Sequence, residues 1–148
     1  MSDLRELYQE VIIDHNRHPR NFCKLENSTH EAEGFNPLCG DKIKLYLNIK
    51  NNVVEQISFE GAGCAISTAS ASLMTEFLMG KTVQDAEKFF QLFHDLMTLP
   101  EERLDPSLGK LKVLAGVREY PMRVKCATLA WHALEAALHQ DKNPVTTE

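Results

Sequence analysis

Ile43, Leu45, Leu47 and Ile49 alternate with Lys42, Lys44, Tyr46 and Asn48, a period of two that predicts a strand with one buried and one wet face. Asn51-Asn52 predicts a turn, and Val53, Ile57 and Phe59 continue as a second alternating strand. Asp41 to Glu60 is therefore expected to form an antiparallel hairpin, ended by Gly61 and Gly63. Upstream, the polar stretch His30 to Gly34 predicts an edge strand.

The period changes on both sides of this hairpin. Leu4, Leu7, Tyr8, Val11 and Ile12 recur at helical spacing, with Ser2 or Asp3 to cap the start and Pro19 to stop the helix. Ile66 to Met79 predicts a helix that opens on small residues, buries Met74 and Met79, and ends at Gly80. Thr82 with Asp85 resembles a capping box, followed by Ala86, Phe89, Phe90, Phe93 and Leu96 as a core face. Pro100 and Pro106 bracket an acidic loop, Leu108 to Leu114 predicts a short helix, and Cys126 to His139 predicts the last one. The expected fold class is α+β, a small antiparallel sheet of about three strands packed against several helices. One domain spans 1–142, with a disordered tail over 143–148 that begins at Asn143-Pro144.

Composition narrows the functional classes. A chain of 148 residues, 43% hydrophobic, can bury one core unaided. A net charge of −5 argues against a nucleic-acid surface, which shows as a basic excess that the short cluster Arg17, His18, Arg20 does not supply. No apolar stretch approaches the roughly 20 residues of a membrane span, and Asp3, Glu6 and Glu10 stand where a signal peptide would be basic and then apolar. A cytoplasmic location with neither nucleic-acid nor membrane partner is expected. In that reducing compartment four cysteines are metal ligands or reactive thiols before they are disulfides.

Three of those cysteines stand in segments rich in Gly or Pro: Cys39, with Asp41, in N-P-L-C-G-D; Cys64 in G-A-G-C-A-I-S; and Cys126 in R-V-K-C-A-T. Thiolates and a carboxylate bind zinc or anchor an iron–sulfur cluster, but this long spacing is not diagnostic by itself. Residues i and i+2 of an extended segment face one side, so Cys39 and Asp41 can converge on one ion, with Gly40 bending the backbone between them. A plain strand-start aspartate is the competing reading of Asp41, and a small buried hydrophobe that of any one cysteine. Cys64 and Cys126 are expected to open helices, where the dipole, joined at Cys126 by Arg123 and Lys125, lowers a thiol pKa. Cys23 reads as a free thiol. His15 and His18 flank a helix end, His132 and His139 lie on the last helix, and His94 faces solvent.

The same segments resemble the NifU-like, IscU/SufU family of iron–sulfur cluster assembly proteins. The resemblance runs from L-Y-Q-E-V-I-I-D-H and N-R-H-P-R-N through N-P-L-C-G-D and F-E-G-A-G-C-A-I-S-T-A-S-A-S-L-M-T to L-A-G-V-R-E-Y-P-M-R-V-K-C-A-T-L-A-W-H-A-L. The closing stretch is similar to the SufU branch. Scaffold-type relatives carry a histidine at the position of Lys125, lack the polar segment around Thr98 to Leu108, and have L-P-P-V-K, the site read by a dedicated chaperone, where this chain has Y-P-M-R-V-K.

The resemblance implies a metal site of Cys39, Asp41, Cys64 and Cys126 that binds Zn²⁺; Cys39 is expected to be the reacting thiol, because it lies in a loop made mobile by Gly40 while Cys64 and Cys126 are expected at helix starts. It implies a sulfurtransferase-like carrier that takes persulfide sulfur from a cysteine desulfurase of the SufS type and passes it to other iron–sulfur assembly proteins. Two rivals use the same residues. One is a scaffold for a transient [2Fe–2S] cluster handed to apoproteins; the other is a structural zinc-binding interaction domain, which a carboxylate ligand disfavours.

Overall fold

The computed structural model describes residues 2–99, 106–140 and 143–147, with 2–7 by backbone alone. Helix α1 (Ser2–Arg17) leads into β1 (His30–Asn36), β2 (Asp41–Lys50) and β3 (Val53–Ala62). Helices α2 (Ala65–Leu78) and α3 (Val83–Thr98), a 3-10 segment (Pro106–Glu119), α4 (Pro121–Leu138) and a two-residue strand β4 (Val145–Thr146) complete the chain. The strands form one sheet in the order β3-β2-β1-β4. The expected α+β architecture is present, with the sheet mixed rather than purely antiparallel.

The hairpin of β2 and β3 is antiparallel, with a register shift at Asn48/Ile49. Its turn, Asn51-Asn52, has φ of 53° and 66°, the left-handed pair that suits right-twisted strands and that asparagine tolerates. Ile43, Leu45, Leu47, Ile57 and Phe59 face the core. Tyr46, expected on the wet face, is buried instead, because its hydroxyl donates to Glu60 on β3 and needs no water.

Strand β1 runs two residues beyond its expected end and pairs antiparallel with β2 through Asn36 opposite Asp41. Its inward positions are Ala32, Gly34 and Asn36, too small or polar to signal a strand by hydrophobicity. On its other side, Val145 and Thr146 lie parallel to Gly34 and Phe35, so this part of the expected frayed tail pairs with the sheet.

Helix α2 is buried along a run of small residues that includes Ser67, Ala69, Ser70, Ala71 and Ser72. These let α4 approach closely enough for the Ser70 hydroxyl to donate to the Ala127 carbonyl at 2.6 Å. Thr82 caps α3 by accepting from the Asp85 N–H at 3.1 Å, and Phe93 of that helix stacks on Trp131 of α4, centroids 4.6 Å apart. Met79, expected in the core, is exposed just past the end of α2.

Two helix boundaries differ from expectation. The short helix expected over Leu108 to Leu114 belongs to the longer 3-10 segment, and the acidic loop before it falls on residues 100–105, outside the described residues. Helix α4 begins at Pro121, not Cys126, since proline's fixed φ and missing N–H suit the first helical turn. Cys126 therefore sits inside the helix, on its buried face. Among the described residues no helix is long and apolar enough to cross a membrane.

Candidate metal centre

The turn between β1 and β2 builds the first half of the site. Asn36 and Asp41 close it as a cross-strand pair, the Asn36 carbonyl accepts the Cys39 N–H at 3.3 Å, and Gly40 takes a φ of 70°. That left-handed residue turns the chain between Cys39 and Asp41, leaving Cys39 half-buried and Asp41 1% exposed.

The loop after β3 approaches from the other side. Cys64 caps α2, its Sγ accepting the Ser67 N–H at 3.4 Å, while its own N–H donates to Asp41 Oδ1 at 2.8 Å. Gly63 makes this approach possible: a Cβ there would lie 2.5 Å from Asp41 Oδ1.

Helix α4 closes the site with Cys126, fully buried, whose single thiol proton has two acceptors in reach, Cys39 Sγ at 3.1 Å and the Met122 carbonyl at 3.6 Å. Ligand atoms of Cys39, Asp41 and Cys126 all lie within 4.8 Å of one another. A group gathered this closely could hold one metal ion, and its mixed sulfur and oxygen set suits zinc or an iron–sulfur centre.

The four sequence-predicted site residues thus converge unequally. Cys39, Asp41 and Cys126 form a trio, and Cys64 adjoins it through its backbone bond to Asp41 and a thiol contact with Cys126. The exposed Cys23 and the partly or fully exposed His18, His94, His132 and His139 are not in the trio.

The expected low-pKa thiol at Cys126 is corrected. Burial pushes that thiol up, and its hydrogen bonds with Cys39, Asp41 and Cys64 push the same way, because an interior helix position lacks the free N–H groups of a first turn. The nearby cation expected there is present: the Arg123 guanidinium is hydrogen-bonded to Cys126, is near Cys64 and Cys39, and is held above its ordinary value by them. Lys125 is half-buried one residue before Cys126.

Sequence reasoning missed Asn36. Its fully buried amide donates to Asp41 Oδ2 at 3.1 Å and to Cys126 Sγ at 3.4 Å, and its Oδ1 has no partner among the described residues. Such an orphan costs about 1–3 kcal/mol. The available signal is strand parity, which puts position 36 on the inward face with Ala32 and Gly34.

Residues 7–127 match the NifU-like N terminal domain. The chain is 40% identical over 141 residues to the zinc-dependent sulfurtransferase SufU of Bacillus subtilis (strain 168), covering 95% of each chain. It is 37% identical over 143 residues to the iron-sulfur cluster assembly scaffold protein IscU of Streptococcus pyogenes serotype M1, covering 97% of this chain and 89% of that relative. Its fold is similar to the crystal structure of FiSufU from Fervidobacterium islandicum AW-1, a candidate iron-sulfur cluster assembly scaffold protein for the SUF system. That likeness has a TM-score of 0.82 at 38% identity and covers 87% of this chain and 94% of that one.

Proposed function

The chain belongs to the NifU-like N-terminal domain family, and on that premise we propose that it is a zinc-binding sulfur carrier of iron–sulfur cluster assembly. It takes persulfide sulfur from a cysteine desulfurase of the SufS type and passes it to other assembly proteins. The observation that carries this reading is the trio of Cys39, Asp41 and Cys126, whose ligand atoms lie within 4.8 Å of one another.

Cys39, Asp41 and Cys126, with Cys64 beside them, are the residues that would hold Zn²⁺. Bound zinc keeps its thiol ligands deprotonated and limits their premature oxidation. Three thiolates and a carboxylate leave a charge of about −2 around the ion, which Arg123 offsets in part. Lys125, where scaffold-type relatives carry a histidine, is not a further ligand, because an ammonium group has no lone pair to coordinate with.

Cys39 suits the acceptor role because it is half-buried in a turn, whereas Cys126 is fully buried and Cys64 serves as a helix cap. Its thiolate attacks the outer sulfur of the desulfurase persulfide. A new S–S bond forms on Cys39, the S–S bond on the desulfurase breaks, and the desulfurase cysteine leaves as thiolate, with no net oxidation. Asp41, pinned by the Cys64 N–H, and Cys126, pinned within α4, stay in place while Cys39 moves.

The similarity to a protein named as an IscU scaffold favours a second reading, in which the same ligands build a [2Fe–2S] cluster. Metal and acid-labile sulfide analysis of anaerobically purified protein decides between them. About one zinc per chain with little iron supports the carrier; stable iron and sulfide with the visible absorption of a cluster supports the scaffold.

A further inference from the structure

Asn36 touches every member of the metal-binding trio. Its backbone carbonyl accepts the Cys39 N–H, and its side-chain amide donates to Asp41 Oδ2 and Cys126 Sγ. We propose that Asn36 is the positioning residue of this centre, fixing the carboxylate of β2 and the thiol of α4 at the separation one ion requires. The inference rests on the metal-binding reading above.

The amide can serve in only one orientation. Reversed, its oxygen would face a carboxylate and a sulfur, both acceptors once deprotonated; as placed, its two N–H groups meet them and its oxygen goes without a partner among the described residues. The cost of a buried oxygen with no partner is hard to explain for a residue that only ends a strand. It is explained if the two donated bonds are what the position is for, because N–H donors strengthen as their acceptors become anionic. Alanine would leave the turn but release both ligands, and aspartate would keep the shape while setting a third acceptor against them.

The test uses the full chain and its Asn36→Ala and Asn36→Asp variants. Three properties are measured: zinc affinity by competition with a chromophoric chelator, melting of the metal-free forms, and the spectrum of the cobalt(II)-loaded forms. Zinc affinity is expected to fall about 10–100-fold, the range found when partners that orient metal ligands are removed. The metal-free Asn36→Ala variant should melt close to the parent, metal-free Asn36→Asp lower because it buries a second carboxylate beside Asp41, and the cobalt bands should shift as the ligand geometry loosens. A folded variant that binds zinc as tightly as the parent overturns the proposal. So does unfolding of both metal-free variants, which would assign Asn36 to the fold. Failure of the parent itself to bind zinc defeats the metal-binding reading and this inference together, and the parent measurement shows it separately.

Discussion

Cys126 Sγ and Cys39 Sγ stand 3.1 Å apart across 87 residues of sequence, one inside a helix and the other in a strand-connecting turn, both as free thiols. Two thiols held this close are poised to be oxidised together when no ion separates them. Treating the metal-free chain with diamide should yield a Cys39–Cys126 disulfide, the thiols giving two electrons and two protons to the diazene. Zinc-loaded protein should resist. Peptide mass analysis under non-reducing conditions reads the pairing, and cross-links mainly through Cys64 or the exposed Cys23 would contradict it.

Gly63 supplies a separate check on the role of Asp41. A methyl group at that position collides with Asp41 Oδ1 and must displace the carboxylate or break its bond to the Cys64 N–H. Gly63→Ala is expected to weaken zinc binding at least tenfold, because a misplaced ligand is as costly as a lost orienting partner. Chelator competition measures this. Unchanged affinity would mean that Asp41 is not a ligand.

The extent to which sequence anticipated structure follows from what each element uses to signal itself. The β2–β3 hairpin was legible because its buried positions are large and apolar, and the capped start of α3 because Thr82 and Asp85 carry the cap in their side chains. Strand β1 was only partly legible, since it buries Ala32, Gly34 and Asn36 and so shows no apolar alternation. The two residues of β4 are too few to show a period. The start of α4 was misread because its first turn is exposed, and Pro121, which marks it, also reads as a helix stop. For the candidate site, Cys39, Asp41 and Cys126 were legible as potential ligands from their residue types, and the fold brings them together, whereas the buried amide of Asn36 became visible only with its distances.

His15 makes stability pH-dependent. It is buried on α1 with Nδ1 2.7 Å from Ser72 Oγ, and burial, aided by Arg20 and Lys110 and opposed by Glu76 and Asp14, lowers its pKa from 6.5. Below 6.5 the unfolded chain therefore binds more protons than the folded one, and stability falls as pH falls through that window. The melting temperature should drop between pH 7 and pH 5.5 more steeply in the parent than in His15→Gln. A shallower slope persists from His132, which burial also lowers. Equal slopes in the two proteins would show that His15 does not contribute.

Thr82 tests the local account of α3. Removing its hydroxyl frees the Asp85 N–H at an exposed helix start, which costs about 1 kcal/mol. Thr82→Ala should lower the melting temperature by roughly 2–4 °C for a chain of this size and leave zinc affinity unchanged. Scanning calorimetry and metal titration check the two halves.

Persulfide mapping addresses the sulfur-carrier reading most directly. The zinc-loaded protein is incubated with a cysteine desulfurase and cysteine, persulfides are trapped by alkylation, and the modified peptides are identified by mass. The extra sulfur should lie on Cys39, and Cys39→Ser should abolish both the label and the stimulation of the desulfurase. Labelling mainly on Cys64, Cys126 or Cys23, with Cys39→Ser still stimulating the desulfurase normally, would contradict the assignment.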